Sequence, residues 1–183
     1  MNNSLLELTV IIVTFKTENN ILQNCLNSID PNVKVLIVEN SESFKNKIEI
    51  EDKFKNTKVI CSGLNLGMGA GNNYGLKQIS TKYALILNPD TICEKNFFKN
   101  IGECLSRNLN FAVMGGVYDK ETNFKPAGFF NNQSLDKAKF IEEYNLYEVD
   151  WVVGHTILIN LEKFPDKKIF DENYFLFFEE TDL

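Results

Sequence analysis

Apolar residues along this chain fall into short dense runs, separated by segments in which they recur every three or four positions. Leu8 to Phe15 (LTVIIVTF) is almost continuously apolar and rich in β-branched residues. That pattern predicts a strand covered on both faces. Between Glu18 and Ile29, the residues Ile21, Leu22, Cys25, Leu26 and Ile29 keep helical spacing, and Asp30-Pro31 closes the segment. Val33 to Val38 reads as a second buried strand, Lys58 to Cys61 as a short third, Lys82 to Leu87 as a fourth and Phe111 to Val117 as a fifth. Ala70 to Ile79 and Glu94 to Leu105 read as helices, the latter with Phe97, Phe98, Ile101 and Leu105 turned inward. Strand and helix thus alternate four times, which predicts an α/β sheet of parallel strands joined by right-handed crossovers.

The alternation fails after Val117. Tyr118 to Leu146 is mixed and polar, either an irregular loop or an edge hairpin. Val149 to Asn160 is strand-like but interrupted by Gly154. Phe170 to Leu183 (FDENYFLFFEETDL) is aromatic and then acidic, and Tyr174, Phe175, Phe177 and Phe178 are expected to pin it to the body of the protein. With no repeat or linker, a single domain over residues 1–183 is the simplest organisation.

Composition narrows the function. The 183 residues are 44% hydrophobic and 24% charged, a globular balance. A net charge of −6, with no basic stripe, argues against a nucleic-acid partner. An acidic protein that handles phosphates needs a local remedy, either a metal ion or a set of backbone N–H groups. Cysteines at 25, 61, 93 and 104 form no CxxC pair, so a zinc site is disfavoured. Cys25, Cys61 and Cys104 lie in or beside apolar patterns and are expected as buried free thiols in a reducing compartment. Met1 to Glu7 lacks a basic leader region, and Val10 to Val13 is too short for a signal or a membrane span. The expectation is a cytoplasmic protein.

Ligands of such sheets collect beyond the carboxyl ends of the strands. The first strand ends in Thr14-Phe15-Lys16, the second in Glu39-Asn40-Ser41 and the fourth in Asn88-Pro89-Asp90-Thr91. Proline forces its predecessor into an extended conformation and stops the strand, so Asp90 projects from the sheet edge. A carboxylate there either holds Mg²⁺ or Mn²⁺ together with substrate phosphates or caps the next helix. The stretch Gly67 to Gly75 (GMGAGNNYG) precedes a helix but matches neither a dinucleotide fingerprint nor a P-loop. Its glycines allow either close approach of a ligand or tight helix–sheet packing. Glu179-Glu180-Thr181-Asp182 is a second acidic cluster, readable as a functional carboxylate pair or as an acidic first helical turn. His155 is the only histidine and sits in no motif, which favours a structural role over a catalytic one.

Taken in order, these segments resemble family-2 glycosyltransferases, particularly the bacterial rhamnosyltransferase-like group. Val10 to Phe15 looks like the family's first strand, and Val38-Glu39-Asn40-Ser41 is similar to its Val-Asp-Asn-Gly-Ser segment. Asn65-Leu66-Gly67 through Gly71-Asn72-Asn73 resembles its Asn-x-Gly…Gly-Asn-Asn loop, and Leu87 to Thr91 resembles its variant of the Asp-x-Asp metal motif. Asp150 to Gly154 resembles its acceptor-side strand, and Phe170 to Leu183 its Phe-Asp-Glu…Glu-Asp-x-Asp-Leu segment.

The resemblance implies a GT-A fold, a Rossmann-like and mostly parallel sheet flanked by helices, with residues 1–117 as the nucleotide-sugar half and 118–183 as the acceptor side. It places Thr14, Glu39, Asn65, Gly67, Gly71, Asn72, Asn88 and Asp90 around the donor, and Asp90 on a divalent metal (Mg or Mn). It places Trp151, Gly154, His155 and Asp182 on the acceptor side, and gives Glu180 the role of general base with Glu179 as a neighbour able to substitute. Glu39 and Glu180 both stand where the family usually has aspartate, one methylene shorter. The resemblance also implies a chain shortened before the family's acceptor-side helices, and hence weak transfer, an open acceptor side and a tendency to self-associate. The activity implied is inverting transfer from a dTDP- or UDP-sugar to a glycan or lipid-linked acceptor in cell-surface polysaccharide synthesis, with contact at the inner membrane face left open. A nucleotide-sugar-binding domain without turnover, a sugar nucleotidyltransferase and a plain cofactor binder are the rival readings.

Overall fold

The computed structural model describes residues 3–115, 139–143, 146–148 and 152–176. After a 3-10 turn at Asn3–Glu7, the chain forms β1 (Leu8–Thr14), α1 (Asn19–Asn27), β2 (Lys34–Glu39), α2 (Lys47–Lys53), β3 (Thr57–Cys61), α3 (Met68–Lys77), β4 (Tyr83–Leu87) and α4 (Phe97–Ser106). Short strands follow: β5 (Val113–Gly115), β6 (Lys139–Ile141), β7 (Leu146–Glu148) and β8 (Thr156–Asn160). The main sheet has the order β3-β2-β1-β4-β8-β5.

Four of its strands are parallel: β1 lies between β2 and β4, and β3 flanks β2. Every residue of β1 is buried, as is every residue of β4, which is what an unbroken apolar run means in a sheet covered twice. Successive side chains alternate between faces. Val10, Ile12, Val35, Ile37 and Leu85 join one core with Leu22 and Leu26 of α1 and Phe98, Ile101 and Leu105 of α4. Ile11, Val13, Leu36, Val38 and Ile86 join another, on the face covered by α3 and Phe170. The chain steps outward from β1 to β2 to β3 and then returns across β1 to β4. A right-handed crossover made in the reverse direction must lie on the opposite face, and this puts α3 opposite α1. The strand order thus reverses between β1 and β4, and ligands of such sheets bind beyond the carboxyl ends at that point.

Two elements differ from the sequence expectation. β5 keeps the direction of β1–β4 but does not pair with β4: β8 enters between β4 and β5 and runs antiparallel to both. Of the strand-like run read at Val149 to Asn160, residues 149–151 lie outside the described residues. Residues 152–153 are irregular, Gly154 and His155 form a turn, and the ordered strand begins at Thr156. Helix α2 was not expected, because its Ile48 and Ile50 alternate like a strand, yet only Ile50 is buried. The polar stretch after Val117 does contain a hairpin, β6 with β7, but it forms its own two-stranded sheet. No helix among the described residues is long and apolar enough to cross a membrane.

Helix α3 can approach the sheet because Gly75 has no side chain. A Cβ there would lie 2.9 Å from both Ile11 Cγ2 and Val38 Cγ2. We expect Gly75→Leu to destabilise the protein by about 3 kcal/mol through overpacking. Gly75→Ala should lose less, since Ala recovers about 1 kcal/mol of helix propensity. Urea unfolding midpoints check the order.

Candidate active site

The carboxyl ends of β1, β2 and β4 bring the polar residues together. The parallel register sets Thr14 beside Glu39, and Thr14 Oγ1 donates a 2.6 Å hydrogen bond to Glu39 Oε2. Ser41 Oγ donates to Glu39 Oε1 at 2.7 Å. Both Thr14 and Glu39 are buried, at 1% and 3% exposure. The extra methylene of Glu39 is thus spent on reaching protein donors, and a carboxylate with two such bonds retains acceptor sites for a ligand. Asn40 N–H extends the ladder to Thr14 O at 2.7 Å.

The glycine-rich stretch divides into three jobs. Asn65 Oδ1 accepts from Gly67 N at 3.1 Å, forming the turn into α3, and Asn40 Nδ2 donates to Gly67 O at 2.8 Å. Gly67 has φ +84, a left-handed conformation open to glycine. The helix starts at Met68 rather than Ala70, so Gly71 and Asn72 lie within it rather than in a loop. Gly71 is buried, and a Cβ there would meet Val13 Cγ1 and Asn40 Nδ2 at 3.0 Å. Asn72 is 2% exposed. Gly71 packs at the helix–sheet contact, and Asn72 is buried within α3.

Asp90 is exposed on a turn closed by Thr91 N–H to Asn88 O at 3.1 Å. The residue preceding α4 is Asn96, six positions after Asp90, so Asp90 does not cap that helix. Asn88 N–H donates to His155 O at 3.1 Å. This bond ties the Asp90 turn to the turn before β8 and brings His155 near it. Burial lowers the His155 pKa below its ordinary value, and the charge of Asp90 opposes that shift. On the other side of the turn, burial, with the charges of Cys93 and Asp90 adding to it, pushes the Cys25 thiol up to about 12. Cys25 and Cys93 are buried, while Cys61 and Cys104 are half-buried, and all four thiols are free. Among the described residues no three His, Cys, Asp or Glu side chains cluster as a metal cage. A divalent ion here would rest on Asp90 and complete its shell with phosphates and water, which suits Mg²⁺ or Mn²⁺.

Gly154 is half-buried in the turn with His155. Trp151, Glu179, Glu180 and Asp182 lie outside the described residues. Of the aromatic anchor expected for the C-terminal segment, Phe177 and Phe178 lie outside the described residues, while Tyr174 and Phe175 are 40% and 56% exposed. Phe170, 2% exposed, is buried in their place. Sequence reasoning missed Asn40 and Asn73, both buried amides that join distant backbone segments.

The glycosyl transferase family 2 profile matches residues 9–164. The chain belongs to this family. The low-salt glycan biosynthesis hexosyltransferase of Haloferax volcanii is 25% identical over 187 aligned positions, 96% of this chain and 60% of that protein. Among solved structures, the mannosyltransferase PcManGT from Pyrobaculum calidifontis in complex with GDP-Man and Mn²⁺ superposes with a TM-score of 0.64 at 11% identity, over 91% of this chain and 48% of that one. S. aureus TarS gives a TM-score of 0.67 at 19% identity, over 95% of this chain and 32% of that one. This family-2 chain therefore has the GT-A fold, and it spans well under two thirds of the length of these relatives.

The His155 shift has a definite sign. Between its depressed folded value and 6.5, the unfolded chain binds more protons than the folded one. Stability should therefore fall as pH drops through that window. The thermal midpoint of His155→Gln, followed against pH, should show a shallower decline there than the wild type.

Proposed function

We propose that this family-2 chain transfers a hexosyl or rhamnosyl group from a dTDP- or UDP-sugar to a glycan or lipid-linked acceptor, inverting the anomeric centre in a single displacement. The observation that carries the reading is the exposed carboxylate of Asp90, presented on the turn that follows β4, with the buried Thr14–Glu39 pair at the carboxyl ends of the adjacent β1 and β2. Glu39 orients the nucleoside through its remaining lone pairs, and Asn65 and Gly67 shape the wall of the donor site. Asp90 would hold the divalent ion, which supplies charge neutralisation to the diphosphate leaving group. Glu180 takes the proton of the acceptor hydroxyl as that oxygen attacks the anomeric carbon. Trp151, Gly154, His155 and Asp182 form the acceptor side.

The support for this reading is the family membership, the relationship to a hexosyltransferase and the placement of polar groups at the strand ends. Relatives with the same fold were solved with GDP-Man and Mn²⁺, with UDP and with UDP-GlcNAc. A donor-binding module without turnover is the alternative.

Two measurements separate the readings. Asp90→Ala should weaken Mn²⁺-dependent binding of a nucleoside diphosphate by roughly 100-fold, the scale of the several kcal/mol such an ion supplies, with the fold intact. Unchanged calorimetric binding in the variant would refute the metal assignment. Glu180→Gln should slow sugar transfer by ~10²–10⁴-fold, the usual contribution of a general base, while leaving donor affinity unchanged. Donor binding without transfer in the wild type, across a panel of acceptors, would establish the binding module instead.

A further inference from the structure

We propose that Asn73 is a positioning residue for glycosyl transfer: it clasps the backbone of Ile169 and Phe170 and the carboxylate of Glu172, and so fixes the course of the segment that leads to Glu179 and Glu180. The proposal rests on the transfer reading above. Asn73 is 0% exposed and every hydrogen-bonding position of its amide is taken by the protein, so it acts only through what it holds.

Its side-chain amide has four hydrogen-bonding positions, and all four are used on one distant segment. Oδ1 accepts from Ile169 N at 2.9 Å and from Phe170 N at 3.0 Å. Nδ2 donates to Phe170 O at 2.8 Å and to Glu172 Oε1 at 3.1 Å. Phe170 is buried in the α3-side core, and its peptide groups go inside with it, where they need partners. No strand ladder reaches them, and the Asn73 amide takes the place of one.

A second hold lies at the head of the same helix. Met68 N–H donates to Phe175 O at 2.9 Å. A Cβ on Gly67 would stand 2.3 Å from that carbonyl oxygen, so the crossing exists because residue 67 is glycine. From Tyr174 to Leu176 the chain is fastened by hydrogen bonds and not by burial, since Tyr174, Phe175 and Leu176 are all exposed. Glu180 follows Phe175 by five residues, a leash of at most ~18 Å at ~3.6 Å per residue. The leash is anchored on α3, the helix that Asn65 and Gly67 lead into. The clasp thereby ties the reach of the base to the donor wall.

The test measures three quantities in the same variants: amide hydrogen exchange at 169–172, donor affinity, and the split between kcat and KM. In Asn73→Ala, exchange at Ile169 and Phe170 should accelerate roughly 10-fold or more, with β1 and β4 unchanged. The kcat should fall about 100-fold, the scale of a 1 Å misplacement, while donor affinity stays within about 3-fold, well under one kcal/mol. Asn73→Asp keeps the acceptor but sets two carboxylates against each other. Adding Glu172→Gln supplies a donor and should recover part of the rate, which a merely structural role would not give. Undiminished kcat alongside faster exchange overturns the proposal, as does unchanged exchange. A parallel fall in kcat, donor affinity and thermal midpoint overturns it in favour of simple packing. If Glu180→Gln transfers normally while Asn73→Ala is slowed, the base assignment fails and the clasp stands.

Discussion

The architecture depends on the reversal of strand order at β1. A strand paired on both edges and covered on both faces has no freedom of register, because a slip of one residue would exchange Ile11 and Val13 for Val10 and Ile12 in two different cores. That fixed strand carries Thr14 to the rim, and its neighbours β2 and β4 carry Glu39 and the Asn88–Thr91 turn to the same rim. The polar groups are gathered by the topology rather than by their own attraction. This is why a net-acidic chain can bring Asp90 and Glu39 to one edge: each carboxylate is held by its own strand, and Glu39 is quieted by Thr14 and Ser41.

Much of this was legible in the sequence. β1, β2 and β4 were evident because buried parallel strands leave unbroken β-branched runs, and α1 and α4 because their apolar residues keep helical spacing. Asp90 was recognisable because proline announces the end of β4. The sequence misled where local pattern and tertiary setting disagree. The α2 sequence (KIEIEDK) alternates like a strand, yet its Ile48 is 75% exposed and one isoleucine suffices to anchor the helix. The glycines looked like one loop and divide instead into a turn, a packing surface and a crossing point. Tyr174 and Phe175 looked like part of an aromatic anchor, yet both are exposed, and at Phe175 it is the backbone carbonyl that is held, by Met68 N–H.

Asn73 was beyond reach for a different reason. Its partners lie 96 to 99 positions away and include backbone atoms, which carry no residue-type signature. A side chain that substitutes for a missing strand can be recognised only after the segment it serves has been placed. Asn40, whose Nδ2 reaches Gly67 O across 27 positions, belongs to the same class. Together the two amides stitch the rim of the sheet to α3 and to the segment after β8.

The insertion of β8 between β4 and β5 bears on how the protein is made. Synthesis runs from the N-terminus at about 5–20 residues per second, and β4 is complete 69 positions before β8 begins. During that interval, some seconds long, β4 and β5 each have a bare edge where β8 will later fit. A bare hydrogen-bonding edge beside apolar side chains is a template for any passing strand. The nascent chain therefore carries its sticking hazard in the middle of the sheet, where the finished protein shows none, and relieves it only when Thr156–Asn160 emerges.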